Sequence, residues 1–291
     1  MKYKSFNDRA QELFGKKVYK LALFGGNTCP NRDGALFMGG CAFCAEGSAH
    51  FSALDEDVYS SIEKAKTLVR KKAGEDAAYI AYFQSYTSTY VPLERLRNML
   101  LSAAAHPEIC ALSIGTRPDC LPAPVMDILS EVNSIKPVCV ELGLQTSRAD
   151  TALKIKRGFT LKTYDDAVKR LGAHGMETVT HAIIGLPGES AEDVKNTVLH
   201  AYAAGSRGIK LQLLHILRGT VFETMYYNGQ ISCLAQEEYI DILKYVLKAL
   251  PDDMVVHRLT GDGAKSLLIA PLWSADKKRV LNAISKMTQE G

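Results

Sequence analysis

The sequence predicts an α/β chain organised on a parallel sheet, and three observations predict it. Six short runs rich in aliphatic and aromatic residues alternate with longer amphipathic stretches, an order that joins neighbouring strands through right-handed helical crossovers. Each run is followed by a polar or glycine-rich segment, so the unusual residues collect at one end of the sheet, where parallel α/β folds carry their ligands. Nothing marks a boundary or a repeat of fixed period within the 291 residues, which read as a single domain, 1–291. Periodicity alone does not separate an open doubly wound sheet from a curved partial barrel.

Residues 5–15 predict a short amphipathic helix, with Phe6, Ala10, Leu13 and Phe14 on one side and Gly15 as its stop. VYKLALF (18–24) is the first strand, and it delivers the chain into a cysteine-bearing loop. After a helix at 57–73 come the second strand, AAYIAYF (77–83), and a helix at 93–104 behind Pro92. CALSIG (110–115) is the third strand, with a helix near 122–134, and PVCVELGL (137–144) the fourth, with a helix at 161–174. ETVTHAII (177–184) and its helix at 191–204 precede the sixth strand, GIKLQLLHI (208–216), and a helical tail at 235–250. The core is thus expected at about 18–216, with a helical and strand extension at 217–291 that holds a late strand near His257 and Arg258.

Hydrophobic residues make up 47% of the chain, enough for a sizeable core, yet no segment approaches the roughly 20 apolar residues of a membrane span. A soluble, cytoplasmic protein without a membrane partner is expected. The formal charge of +3 does not argue for nucleic acid. Three short basic groups, Lys16/Lys17/Lys20, Arg70/Lys71/Lys72 and Lys277/Lys278/Arg279, read as solvated faces.

Chemistry concentrates in CPNRDGALFMGGCAFC, residues 29–44, where Cys29, Cys41 and Cys44 sit in a glycine-rich loop. Three thiolates can hold three irons of a 4Fe-4S cluster and leave the fourth open to a chelating small molecule. The odd cysteine count and the length of the chain argue against a disulfide framework. Two other readings stay open. A structural zinc site takes four ligands, and His50 is the available fourth; such a chain would be a zinc-stabilised RNA-binding module. A fully ligated cluster would instead make an iron–sulfur electron-transfer protein. Cys110, Cys120, Cys139 and Cys233 are isolated and read as buried thiols.

The pattern resembles the radical S-adenosylmethionine (radical SAM) superfamily, whose usual spacing is C-x3-C-x2-C. Here eleven residues separate the first two cysteines, as in the branch of the elongator catalytic subunit and a bacterial family carrying CPNRDG and GGC-x-FC. Closing the longer loop costs only roughly 1 kcal/mol more. The resemblance covers roughly residues 15–275, including APLW at 270–273, and implies a radical SAM partial (β/α)6 barrel with short terminal extensions.

The resemblance also distributes the mouth residues. YFQSYTST (82–89) takes the place of a glycine-glycine-acid motif that receives the cofactor's amino group, which makes Gln84 and Tyr86 cofactor candidates. In GTRPD (115–119), Pro118 favours an extended Arg117 that suits a carboxylate, with a bridge to Asp119 or Glu141 as the other reading. The fourth strand turns Cys139, Glu141, Gly143 and Gln145 to one face. A carboxylate there needs a cationic or hydrogen-bonding partner, and the family's ELG-hydrophobic-Q lies beside the cofactor, so Glu141 and Gln145 join the candidates. HAIIGLPGE (181–189) resembles the segment that lies against the adenine, assigning Gly185, Leu186 and Pro187. Its turn exposes backbone groups to a base edge, while His181 reads as a satisfied core histidine. Lys156, Arg157, Lys210 and His215 are candidates for substrate contact. Where relatives place histidine after Arg-Gly, this chain has Phe159.

The resemblance therefore implies an enzyme with two cofactors, a 4Fe-4S cluster and S-adenosylmethionine, and a low-potential electron donor of flavodoxin or ferredoxin type. Reductive cleavage of S-adenosylmethionine would give a 5′-deoxyadenosyl radical that abstracts hydrogen from substrate. The elongator kinship implies a tRNA partner and chemistry on the C5 side chain of a wobble uridine, such as trimming of a carboxymethylaminomethyl group, with Arg117, Lys156 or Lys210 to hold its carboxylate.

Overall fold

A wholly parallel sheet of eight strands frames the protein. The computed structural model describes residues 3–46, 57–74, 76–261, 263 and 265–289. The strands of this sheet are β1 (Lys4–Ser5), β2 (Val18–Leu23), β3 (Ala78–Phe83), β4 (Ile109–Thr116), β5 (Val138–Gln145), β6 (Glu177–Ile184), β7 (Gly208–Leu213) and β9 (Val255–Arg258). Their spatial order is β1-β9-β7-β6-β5-β4-β3-β2, and β8 (Ile216–Leu217) pairs separately with β10 (Leu268–Ala270) in antiparallel fashion. The six expected strands are present, but the sheet is larger by β1 and β9. The expected run 208–216 also breaks, with β7 ending at Leu213 and β8 starting at Ile216.

The sheet curls into a half-barrel. Five inter-strand steps separate β2 from β7, about 24 Å if the sheet were flat, yet Lys20 of β2 and Lys210 of β7 both reach Glu141 of β5. Only a closed-up interior face allows that.

Helices flank the sheet, most of them on its outer face. They are α1 (Phe6–Phe14), α2 (Val58–Ala73), α3 (Leu93–Ala105), α4 (Ala123–Asn133), α5 (Ala149–Lys154), α6 (Leu161–Ala173), α7 (Ala191–Ala204), α8 (Val221–Tyr227), α9 (Gln236–Lys248) and α10 (Lys277–Gln289). Seven match expected spans; α5, α8 and α10 were not expected. Leu96 and Leu100 of α3, Leu129 and Val132 of α4 and Leu171 of α6 pack on the outward side chains Leu112, Ile114, Val140 and Leu142. Full burial of one such side chain contributes roughly 1.5–3 kcal/mol.

α1 packs at the open side of the half-barrel, where Phe6 and Phe14 meet Val18, Ala78 and Ile80, and the Phe6 ring lies 5.0 Å from that of His257 on β9. A capping box of Ser5 with Asp8 starts it, and Gly15, at φ 66°, ends it in a conformation that costs glycine little. Among the described residues, no helix is long and apolar enough to cross a membrane.

Candidate functional site

The loop after β2 brings the three cysteines together through its own backbone. Cys29 O accepts N–H bonds from Arg32 at 2.7 Å and Asp33 at 3.2 Å, turning the chain into a hairpin bridged between Asp33 and Met38. Gly40 N–H then returns to Asn31 O at 2.7 Å, and Cys44 N–H closes a turn on Cys41 O at 2.9 Å. The long gap between the first two cysteines is thus a structured hairpin. Buried Ala42 fixes its far end, donating to Ile155 O at 3.0 Å and accepting from Phe222 N–H at 3.0 Å.

The sulfurs carry nitrogen donors. Asn31 Nδ2 lies 3.1 Å from Cys41 Sγ, and Arg32 Nη1 is 3.6 Å from Cys44 Sγ. Burial pushes the Cys41 thiol up to about 11, with Cys44 and Cys29 adding to the rise against Asn31 and Arg117. Bound iron, which takes thiolate, would reverse that. A tetrahedral zinc with Zn–S near 2.3 Å holds its sulfurs roughly 3.8 Å apart. Among the described residues, Glu63, His106 and Glu108 place potential ligand atoms within 4.8 Å of one another, but Lys66 already bridges the two glutamates. His50, the fourth ligand of the zinc reading, lies outside the described residues. Three soft donors with N–H groups aimed at sulfur suit a cluster with one open iron.

The other expected residues fall at the carboxyl ends of the strands, with two exceptions. Gln84 and Tyr86 follow β3, Arg117 follows β4, Gln145 ends β5, Gly185, Leu186 and Pro187 follow β6, Lys156 and Arg157 follow α5, and His215 follows β7. Among the described non-glycine residues, those with left-handed backbone are Tyr86 at φ 52°, Gln145 at φ 63° and Lys156 at φ 53°. All three belong to the expected site, and such strain collects where function over-determines the backbone. The Tyr86 ring lies 5.3 Å from the Arg32 guanidinium, which ties the β3 segment to the cysteine loop. Gly185, at φ 90°, lies against Leu234.

The guanidinium groups here have intramolecular duties. Arg117 makes a bidentate pair with Asp119, at 2.9 and 2.7 Å, and donates to Arg157 O at 2.9 Å. Arg157, 2% exposed, donates to the carbonyls of Leu144, Thr146 and Phe159. Both stack on Phe159, at 5.2 and 4.5 Å from the ring centroid, so this ring holds two cations. Lys156 differs. It is exposed, and among the described residues its ammonium meets no carboxylate.

The exceptions, Glu141 and Lys210, lie mid-strand and touch each other. The Glu141 carboxylate accepts from Lys20 at 2.6 Å, Ser113 at 2.6 Å, His181 at 2.7 Å and Tyr82 at 2.8 Å, besides Lys210. Burial alone would push this carboxyl up; Lys20, Lys210 and the His181 bond overcome it and hold it well below the usual carboxylate range. Burial, with Lys210 beside it, takes His181 down to about 4. Lys20 is therefore no part of a solvated basic face. Of the other basic groups, Lys16, Lys17, Arg70, Lys277, Lys278 and Arg279 are exposed, and the side chains of Lys71 and Lys72 lie outside the described residues. The sequence reading missed Lys20, Tyr82, Asn31 and Arg32. A lysine between Tyr19 and Leu21 inside a strand was the available signal for the first.

A family model described as Radical SAM superfamily matches residues 23–201, and one described as Radical_SAM C-terminal domain matches residues 206–290. The chain belongs to the radical SAM superfamily. It is similar to the protein YtqA of Bacillus subtilis (strain 168), 41% identical over 287 residues that cover 98% of this chain and 89% of the relative. Further off is a tRNA uridine(34) acetyltransferase of Methanocaldococcus jannaschii, 23% identical over 172 residues, 58% of this chain and 31% of that protein. The fold is also that of the archaeal Methanocaldococcus infernus Elp3, with a TM-score of 0.69 at 18% identity over 93% of this chain and 63% of that one, less than two thirds of its length. This radical SAM protein is a SAM-cleaving radical enzyme, and the family's cofactors are a 4Fe-4S cluster and S-adenosylmethionine.

Proposed function

We propose that this radical SAM enzyme abstracts a hydrogen atom from the C5 side chain of a wobble uridine in tRNA, a side chain that already carries a carboxylate. The supporting observation is Lys156, an exposed cation held in a left-handed backbone next to Arg157, whose carbonyl, like that of Lys156, accepts from Asn31 of the cysteine loop. The likeness to a tRNA uridine(34) acetyltransferase supports the choice of substrate. The match spans only 31% of that protein, so acetyl transfer is not carried over.

In this reading Cys29, Cys41 and Cys44 hold the cluster. When bound, the cluster and S-adenosylmethionine supply one-electron reductive cleavage of the sulfonium and, from it, a 5′-deoxyadenosyl radical that takes hydrogen from substrate. The chain's own residues bind, orient and exclude water. Gln84, Tyr86, Gln145 and the Gly185-Leu186-Pro187 turn are assigned to S-adenosylmethionine through backbone groups and the left-handed positions. Glu141 and Arg117 are assigned the shape of its walls, because their polar atoms already serve the chain. Lys156 takes the substrate carboxylate, and His215 stands further along the rim after β7. Lys210 and Arg157 support from within.

The reductant is assigned as a low-potential flavodoxin or ferredoxin and the compartment as the cytoplasm. A single domain, 1–291, is assigned; the support is β9, which comes from the C-terminal extension and pairs with β7 of the core in one sheet. Mass spectrometry of tRNA nucleosides from a deletion strain tests the substrate. Accumulation of a carboxylate-bearing wobble uridine is expected, and an unchanged profile would remove the reading.

A further inference from the structure

We propose that Gly158, in the turn between α5 and α6, is a positioning residue for the iron–sulfur cluster: it keeps the Asn31 amide in the orientation that donates to Cys41 Sγ. This rests on Cys29, Cys41 and Cys44 as the cluster ligands, and not on the choice of substrate.

The surroundings of that amide fix which way it faces. Asn31 Nδ2 lies 2.8 Å from Lys156 O, 3.1 Å from Arg157 O and 3.1 Å from Cys41 Sγ. Carbonyl oxygens only accept, so the atom among them is the nitrogen and not the amide oxygen. Its two hydrogens thus face three acceptors. Arg157 O already accepts from Arg117 Nη1 at 2.9 Å, which leaves Lys156 O and the sulfur with first claim on them.

The oxygen of the same amide points away from these groups. Asn31 is fully buried, and its Oδ1 has no hydrogen-bond partner among the described residues. The bare Cα of Gly158 makes room for it. A Cβ at that position would lie 2.9 Å from Asn31 Oδ1, 3.2 Å from Cε2 of Phe37 in the cysteine hairpin and 3.3 Å from Arg117 Nη2. The first of these is closer than real Cβ atoms come, so something must shift. Arg117 is tied to Asp119 through two nitrogens, whereas Asn31 Oδ1 has no bond to hold it. The amide yields, and turning it swings Nδ2 off the sulfur.

Gly158 also has φ 85°, a left-handed backbone that favours glycine by itself. The two demands separate cleanly. Backbone strain acts on stability, while the Cβ contact acts on the donor to sulfur. Gly219 is the comparison, with φ 79° and nothing within 4 Å of its would-be Cβ.

Redox titration of the anaerobically reconstituted full chain, followed by electron paramagnetic resonance, tests the proposal. The variants are Gly158→Ala, Gly158→Asn, Gly219→Ala, Asn31→Ala and Gly158→Ala/Asn31→Ala. Asparagine accepts a left-handed backbone yet brings the same Cβ, so it parts contact from strain. Loss of a donor to sulfur disfavours the reduced cluster. Both single Gly158 variants should lose about fivefold in the equilibrium constant for reduction, roughly 40 mV at 59 mV per tenfold for one electron. Gly219→Ala should lose stability in thermal melting without moving the midpoint. Adding Gly158→Ala to Asn31→Ala should shift nothing further, because residues in contact act as a unit. Should both single Gly158 variants fail to take up iron, Asn31→Ala, which removes the clashing oxygen, should restore uptake to Gly158→Ala. An unmoved midpoint in the Gly158 variants, a shift that persists in the Asn31→Ala background, or iron uptake that Asn31→Ala does not restore would overturn the proposal. Unaltered protein without a 4Fe-4S signal would instead overturn the ligand assignment on which it stands.

Discussion

Asn31 donates its side-chain N–H to Cys41 Sγ at 3.1 Å, and the same nitrogen lies 2.8 Å from Lys156 O. One amide thus joins the expected cluster ligand to the left-handed residue at the rim. A donor to sulfur favours the more negative, reduced cluster. Asn31→Ala should lower the cluster potential by about 40 mV, the equivalent of one hydrogen bond of roughly 1 kcal/mol in a one-electron couple. A redox titration followed by electron paramagnetic resonance reads it, and an unshifted midpoint would show that the amide serves the loop alone.

Glu141→Gln keeps the shape of the barrel interior but leaves Lys20 and Lys210 without their counter-charge. Breaking a buried ion pair from one side costs about 3–5 kcal/mol. Urea unfolding should show a loss of that order, partly recovered in Glu141→Gln/Lys210→Met. An unchanged midpoint in the single variant would mean that the lysines find other partners.

The same cluster fixes how stability depends on pH. Lys210 titrates at about 7 in the folded chain against 10.5 when free, so between these values the unfolded chain binds more protons and stability rises with pH. His181, at about 4 against 6.5, adds a second rise across that lower window. Glu141, held low, contributes stability that is complete above its ordinary value and is lost as pH falls through its folded one. The melting temperature should therefore climb above pH 7, and this upper climb should flatten in Lys210→Met. A slope of the same size in the variant would contradict the assignment.

Gln145 is the left-handed end of β5, where pairing with β6 slips between Gly143 and Gln145, and its side chain folds back over Gly143. Gln145→Gly should relieve about 1 kcal/mol of backbone strain. Formation of 5′-deoxyadenosine should nevertheless fall, because the strained geometry serves the cofactor. Measured together by thermal melting and product chromatography, a variant that is both stabilised and fully active would refute that use of the strain.

The alternation of strands and helices was legible because β2 to β7 carry compact apolar runs between amphipathic helices. β1 was not legible, since two residues give no period; its strand status comes from pairing with β9, some 250 positions later. The cysteine motif announced itself, and so did the mouth segments. What stayed hidden were relations across the barrel. Lys20 reads as one of a basic group with Lys16 and Lys17 until the curl of the sheet turns it onto Glu141. Arg117 was open between two acids in sequence, and the local geometry of GTRPD decides for Asp119. Phe159 gave no hint that it would seat two guanidinium groups.

The most direct test of the central claim is the electron paramagnetic resonance spectrum of the dithionite-reduced, anaerobically reconstituted protein before and after S-adenosylmethionine is added. An iron left open by Cys29, Cys41 and Cys44 predicts a 4Fe-4S signal that changes on addition and is lost in Cys41→Ala. A cluster signal indifferent to S-adenosylmethionine, or protein that holds zinc and no iron, would contradict it.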